Sequence, residues 1–373
     1  MKKMRSSHLG LLTLASRFFD TLQRKILKHK VYAVISTTIF LGAVFGVLLT
    51  FNRDTNPKGT VAKSQTNQGD PSQSAQSGLF VSPLTGQTLA DKSLVDHQVT
   101  AVMIDNSLPA RPQSGLSQAG IIFEALTEGG ITRFLALYQE SAPNIVGPIR
   151  SARPYFLDYA LPFDASIAHV GGSPQALIDI KALGMKDIDQ TNNESAYQRV
   201  ANKSAPSNVF STFSDLDALN TKQRYLKSNF IGFKHKTDVA QTPTAGTIDF
   251  LISSQFYNSE FKYNSSTNSY LRFQGGVKQI DALNGQQLSP KVVIALFVSQ
   301  AYNPDGLHTS YNTTGQGKMY VFQDGIMSPG NWKKTDRKNQ LEFTDQYGMP
   351  MNINAGQTWV TLISNDGDVT FKP

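Results

Sequence analysis

Arg111, Arg133, Arg150 and Arg153 are the only Lys or Arg residues between Lys92 and Lys181. Downstream of position 51 lysine outnumbers arginine 18 to 9, so an uninterrupted arginine series marks a selected residue type rather than a generic cation. A guanidinium offers a rigid fork of donors, suited to gripping a carboxylate or phosphate, or to sitting inside a fold beside a paired acid. Both uses are open, because the same window holds Asp96, Asp105, Glu124, Glu128, Glu140, Asp158, Asp164 and Asp179.

Within 147–154 (GPIRSARP), Arg150 and Arg153 stand three apart at the expected start of a helix, where a helix N-terminus and two guanidinium groups would converge on an anion. His169 precedes the Gly171-Gly172-Ser173 turn at the expected end of a strand, the position at which α/β folds place ligands. The candidate ligand-binding set is therefore Arg111, Arg133, Arg150, Arg153, His169 and Ser173. A hydrogen-bonded structural histidine is the competing reading of His169. Gln175 replaces the second glycine of a nucleophile elbow, and no Gly-Lys-Ser/Thr follows the turn, so neither that elbow nor a phosphate loop is present. His97, His169, His235 and His308 are scattered without ligand spacing, and no metal or cofactor is expected. Glu124 and Glu128 would lie ~6 Å apart on a helix but ~13 Å apart on a strand, too far for glycoside cleavage. The preceding Ile121-Ile122-Phe123 favours a strand.

The elements that must position these residues are legible in part. Short apolar runs at 100–104, 121–126 and 165–170 alternate with helix-like stretches, which predicts an α/β domain over 80–233. Ser173 as N-cap, Pro174 at the first helical position and Gly184 as the stop delimit one helix. A second is expected over 155–161, ended by Pro162, and a third from Ser214. Over 240–373 the texture changes to strands at 246–253, 261–263, 292–298, 319–322 and 358–363, with Asp324-Gly325 as a hairpin turn, so a mainly-β domain is expected. Trp332 and Trp359 are expected to pack in or beside the core.

The formal net charge of the 373-residue chain is +7, and all of that excess lies in residues 1–30, a basic tail. The rest is balanced, which argues against a phosphate-tracking surface and so against nucleic acid as a partner. The apolar stretch 31–51 (VYAVISTTIFLGAVFGVLLTF) would span roughly 31 Å as a helix, matching a bilayer core. Its cationic flank orients the N-terminus to the cytoplasm and the remainder outside, as a single-pass membrane protein. A cleaved signal peptide is the alternative, disfavoured by the long basic flank and the length of the apolar run. Residues 52–79, rich in Ser, Gln, Asn, Gly and Pro and lacking aromatics, form a linker expected to be disordered, reaching on the order of 30 Å. There is no cysteine in the chain, which removes disulfides, thiol nucleophiles and a lipidated cysteine from consideration.

Several stretches carry a family resemblance: 102–106 (VMIDN), 110–119 (ARPQSGLSQA), 124–134 (EALTEGGITRF), 147–155 (GPIRSARPY) and 169–176 (HVGGSPQA). In the second half 322–325 (FQDG), Trp332-Lys333-Lys334 and 356–359 (GQTW) add to it. On these residues the chain resembles the YerB-like family of bacterial envelope lipoproteins, a two-part domain of unknown function. The resemblance implies an α/β part followed by a β-rich part outside the membrane, and it brings no activity with it. Two departures stand out. Members are typically anchored through a lipidated cysteine, and Ala205-Pro206-Ser207-Asn208 stands where the family suggests Ala-Pro-His-Asn.

Three functions are therefore weighed. The first is a membrane-tethered extracytoplasmic protein that binds a polar or anionic cell-envelope ligand, such as a wall component, through the arginine set. The second is a hydrolase or transferase acting on envelope glycan or phosphate esters, with His169 as acid or base. The third is a structural partner in an envelope complex.

Overall fold

The computed structural model describes residues 79–303 and 308–373. The basic tail, the apolar stretch 31–51 and the linker up to residue 78 lie outside the described residues, and among those described no helix is long and apolar enough to cross a membrane. The described residues belong to one compact unit.

Strands that read as continuous apolar runs are buried on both faces. Here they are β1 (Thr100–Asp105), β2 (Ile121–Leu126), β3 (Thr132–Tyr138) and β4 (Ser166–Ala168), followed by the short, charged and half-buried edge strand β5 (Lys186–Asp187). The small sheet uses β6 (Thr247–Phe250), β7 (Ser259–Asn264), β8 (Ser269–Gln274) and β9 (Val277–Lys278). Next come β10 (Val292–Phe297), β11 (Gly315–Gln323), β12 (Ile326–Lys334), β13 (Glu342–Asp345), β14 (Thr358–Ile363) and β15 (Val369–Lys372). Ten of them make one sheet in the order β13-β12-β11-β10-β14-β2-β3-β1-β4-β5. Within it β14 runs parallel to both neighbours, with Thr361 opposite Ala295 and Glu124, and so joins the two halves of the chain edge to edge. A five-stranded sheet, β9-β8-β7-β6-β15, packs on one face.

Side-chain alternation divides the core in two. One face of the large sheet, with Met103, Phe123, Leu135, Ile294 and Leu362, meets α1 (Pro154–Ala160) and α2 (Pro174–Ala182) through Phe156, Tyr159 and Ile180. The other, with Ile104, Ile122, Phe134 and Trp359, meets α3 (Phe213–Lys222) and the small sheet through Phe213, Leu216, Phe261 and Tyr270. The described chain is thus mainly β with a few short helices. The α/β character expected over 80–233 is carried by α1, α2, α3 and one further four-residue helix, Lys92–Val95.

Local signals were informative. Ser173 caps α2, its Oγ accepting from Ala176 N at 3.3 Å, and Gly184 follows the helix at φ 64°. The expected second helix begins one residue earlier, with Pro154 at its first position, and passes into a 3-10 turn at Leu161–Phe163. The third begins at Phe213 rather than Ser214, because the Thr212 hydroxyl accepts from Asp215 N and acts as the cap. Asp324 (φ 59°) and Gly325 (φ 82°) form the two-residue turn between β11 and β12, both left-handed as a type I′ hairpin requires.

Candidate functional site

The four arginines do not share one opening. The turn after β2 presents Glu128, which gathers Arg133 Nη2 at 3.6 Å, the Arg153 guanidinium in closer contact, and His308 Nε2 at 3.5 Å. Arg133 is 5% exposed and donates from Nη1 to Ser151 O at 2.7 Å. Burial, reinforced by the adjacent charge of Arg153, pulls Arg133 down to about 10. Burial pushes the Glu128 carboxyl up, but the hydrogen bond from Arg153 and the two guanidinium charges override it, leaving the carboxyl below its ordinary value.

Arg150 Nε lies 3.4 Å from the carboxylate of Asp105, at the buried end of β1. The same carboxylate accepts from the Ser207 hydroxyl at 2.6 Å and from Ser107 N at 2.9 Å. Ser207, at the position where the family pattern suggests histidine, is thus a hydrogen-bond donor to Asp105.

His169 lies just beyond β4 with its side chain fully buried. One ring nitrogen is 2.7 Å from Gly171 O and the other 3.1 Å from Asp187 Oδ1, so both acceptors are satisfied when the ring is doubly protonated. Burial alone would lower its pKa. The hydrogen bond to Asp187, the Gly171 carbonyl and the nearby Asp189 carboxylate outweigh that penalty and raise it. With both nitrogens engaged and no exposure, His169 ties the Gly171 turn to β5 and presents no free nitrogen to a ligand.

A cleft of about 660 Å³ opens between the starts of α1 and α2 and the short strand Thr309–Tyr311. Of the six expected residues it takes two, Arg153 and Ser173. Hydroxyl and amide groups of Gln175, Asn303, Ser310, Asn312 and Thr314 make up much of the remaining wall. Arg337 also faces it, paired with the Asp158 carboxylate and, at 2.7 Å, with Asp179. Burial holds the Asp158 carboxyl above its ordinary value despite the Thr313 hydroxyl at 2.5 Å and the Arg337 charge.

Arg111 lies elsewhere, in a pocket of about 470 Å³ against the small sheet. It donates from Nε and Nη2 to Asn106 Oδ1 and O, both at 3.1 Å, and from Nη1 to Phe256 O at 2.9 Å. Behind that pocket runs a polar network absent from the sequence expectations. Arg272 and Glu124, both fully buried, pair at 2.7 Å, and the Trp359 indole donates to the same Glu124 oxygen at 3.0 Å. The Arg272 guanidinium carbon sits 4.2 Å from the Trp359 ring centroid. From Arg272 the network continues through Gln279 to Gln113 at 3.2 Å, and from Gln113 to Asn106 at 2.8 Å. Glu124 therefore serves this network and is no partner of Glu128. The sequence signalled half of it, a glutamate inside the apolar run 121–126; Arg272, between Tyr270 and Gln274, shows its inward side only in the structure. Trp359 packs in the core, as expected, and Trp332 donates to Phe297 O at 2.8 Å.

Two family models match the chain. The DUF3048 N-terminal domain, a protein of unknown function, covers residues 84–227, and the DUF3048 C-terminal domain covers 248–360. A protein described as "Putative lipoprotein YerB", from Bacillus subtilis strain 168, is 28% identical over 289 residues, which is 75% of this chain and 85% of that protein. The crystal structure of YerB from Bacillus subtilis superposes with a TM-score of 0.70 at 24% identity, over 79% of this chain and 100% of that one. The chain belongs to the YerB-like family defined by paired DUF3048 N-terminal and C-terminal domains.

Proposed function

We propose that the chain is a membrane-tethered, extracytoplasmic protein that binds a polar, hydroxyl- and amide-bearing envelope ligand, such as a wall glycan fragment, in the 660 Å³ cleft. The YerB relative is described as a lipoprotein, and this chain has no cysteine to carry a lipid, so the apolar stretch 31–51 is the tether in this reading. The observation that carries the binding site is that Arg153 and Ser173, at the starts of two different helices, face one cleft rich in hydroxyls and amides. Its volume falls within the ~300–1,000 Å³ typical of ligand pockets. Arg153 and Arg337 both face carboxylates, so the cleft offers hydrogen-bond donors without a large uncompensated charge, which suits a glycan better than a polyanion. Calorimetric titration of soluble wall-glycan fragments into residues 75–373 tests this. Binding is expected, with a clear loss in Arg153→Ala, and unchanged binding by the folded variant would sink the assignment.

A second reading, hydrolysis or transfer on that glycan, is favoured by Asp158, a cleft carboxyl whose pKa burial raises, the direction a general acid needs. It requires turnover that disappears in Asp158→Asn while binding persists.

A further inference from the structure

The pocket beside Arg111 shares no lining residue with the cleft. Its mouth is apolar: Leu108 and Phe256 are each 49% exposed, Val277 69% and Ile280 38%. These four side chains come from three separate segments, the turn after β1, the loop before β7 and the edge of the small sheet. Water-facing apolar groups gathered around one cavity mark a surface that is completed by an apolar occupant.

The charge at this pocket differs from that of the cleft. Arg133, Arg150 and Arg153 each reach a carboxylate, whereas all three hydrogen bonds of Arg111 go to neutral oxygens. Lys278 lines the same pocket, and among the described residues no carboxylate does. The guanidinium is held in place by Asn106, itself fixed by Gln113, and by the Tyr257 ring, whose centroid lies 5.0 Å from its central carbon. Each terminal nitrogen of Arg111 keeps one N–H beyond those bonds, available to an incoming anion.

We propose that this pocket binds an amphiphile with an anionic head, its tail covered by Leu108, Phe256, Val277 and Ile280 and its head held by Arg111 and Lys278. A peptide strand fits less well. The edge strand β9 is only two residues long, which offers a bound backbone almost no ladder, and the side-chain amides of Gln113, Gln274 and Gln279 behind it are already engaged with one another or with Arg272 and Glu124. Carboxylate and phosphate heads share this chemistry, and so the test separates them. It is independent of the cleft, since no residue is common to both.

The segment 75–373 is suited to the experiment because its described residues belong to one compact unit and because the whole YerB crystal chain superposes on 79% of this chain. Laurate, dodecyl phosphate and dodecanol are titrated below their aggregation limits and followed by calorimetry, alongside phosphatidylglycerol vesicles. One-to-one binding of laurate or dodecyl phosphate is expected, with dodecanol at least ~10-fold weaker. Which of the two anions binds more tightly identifies the head. Arg111→Gln should abolish the preference for the charged head, and Val277→Asp should weaken binding at least ~10-fold. Val277 is 69% exposed on a sheet edge, so that variant tests the pocket without disturbing the core. Equal affinity for laurate and dodecanol, or laurate affinity unchanged in both variants, would overturn the proposal. So would absence of binding by every probe, vesicle binding without monomer binding, or saturation by an apolar peptide in place of laurate.

Discussion

The cleft and the pocket are built around the same residue type and differ in what that residue faces. At the cleft, Arg153 meets Glu128 and Arg337 meets Asp158 and Asp179. At the pocket, Arg111 meets only amide and peptide oxygens. Residue identity alone therefore does not tell a gripping guanidinium from a bracing one; its partner does. The supports differ as well. The cleft rests on a capped helix, the His169 clasp and the ion pairs of Arg337 with α1 and α2, whereas the pocket rests on a network linking β2, β8 and β14 across the width of the core.

The largest expected effect lies behind the pocket. Removing one member of a buried ion pair leaves the other charge stranded, so Arg272→Met or Glu124→Gln should each lower the unfolding free energy by ~3–5 kcal/mol. Urea unfolding of each variant measures this. The Glu124→Gln/Arg272→Met double variant should lose much less than the two single losses combined, and strict additivity would break the view that the pair acts as a unit.

On the cleft side, His169 predicts a pH dependence. Its folded pKa is raised above an unfolded value of about 6.5, so its stabilisation is fully present below that value and disappears as pH rises through the folded pKa. Unfolding midpoints should fall over this window in the parent chain, and His169→Gln should flatten that part of the curve. An unchanged slope would mean that the clasp does not depend on the imidazolium. The smallest effect should come from Ser173→Ala, at ~1 kcal/mol, the usual contribution of an N-cap. If that substitution also reduces glycan binding by far more than its effect on stability, the Ser173 hydroxyl touches the ligand as well as the helix.

How much of this was legible in the sequence depended on how local each signal is. The caps at Ser173 and Gly184, the Asp324-Gly325 turn and the strand at 358–363 are set by neighbours within a few residues, and each stands where the sequence places it. The start of α3 at Phe213, one position before the serine from which the sequence starts it, follows from the Thr212 hydroxyl, which caps the helix by accepting from Asp215 N. What stayed hidden is non-local. Nothing near Thr358 announces that it pairs with Ile121, more than two hundred positions away. The counter-charges of Arg150 and Arg153 were present in the eight-acid window, but composition gives no pairing. Arg272, outside that window, needed its strand register to be known before its burial could be read.

The placement of β14 in the centre of the large sheet sets an order of assembly. Until residues 358–363 emerge during synthesis, β2 and β10 both present open edges, and the sheet exists only as two unjoined pieces. A chain stopped short of Thr358 would carry two sticky flanks in place of one continuous sheet. Residues 358–363 therefore serve as the closing seam, and the joining of the two pieces waits on that one strand.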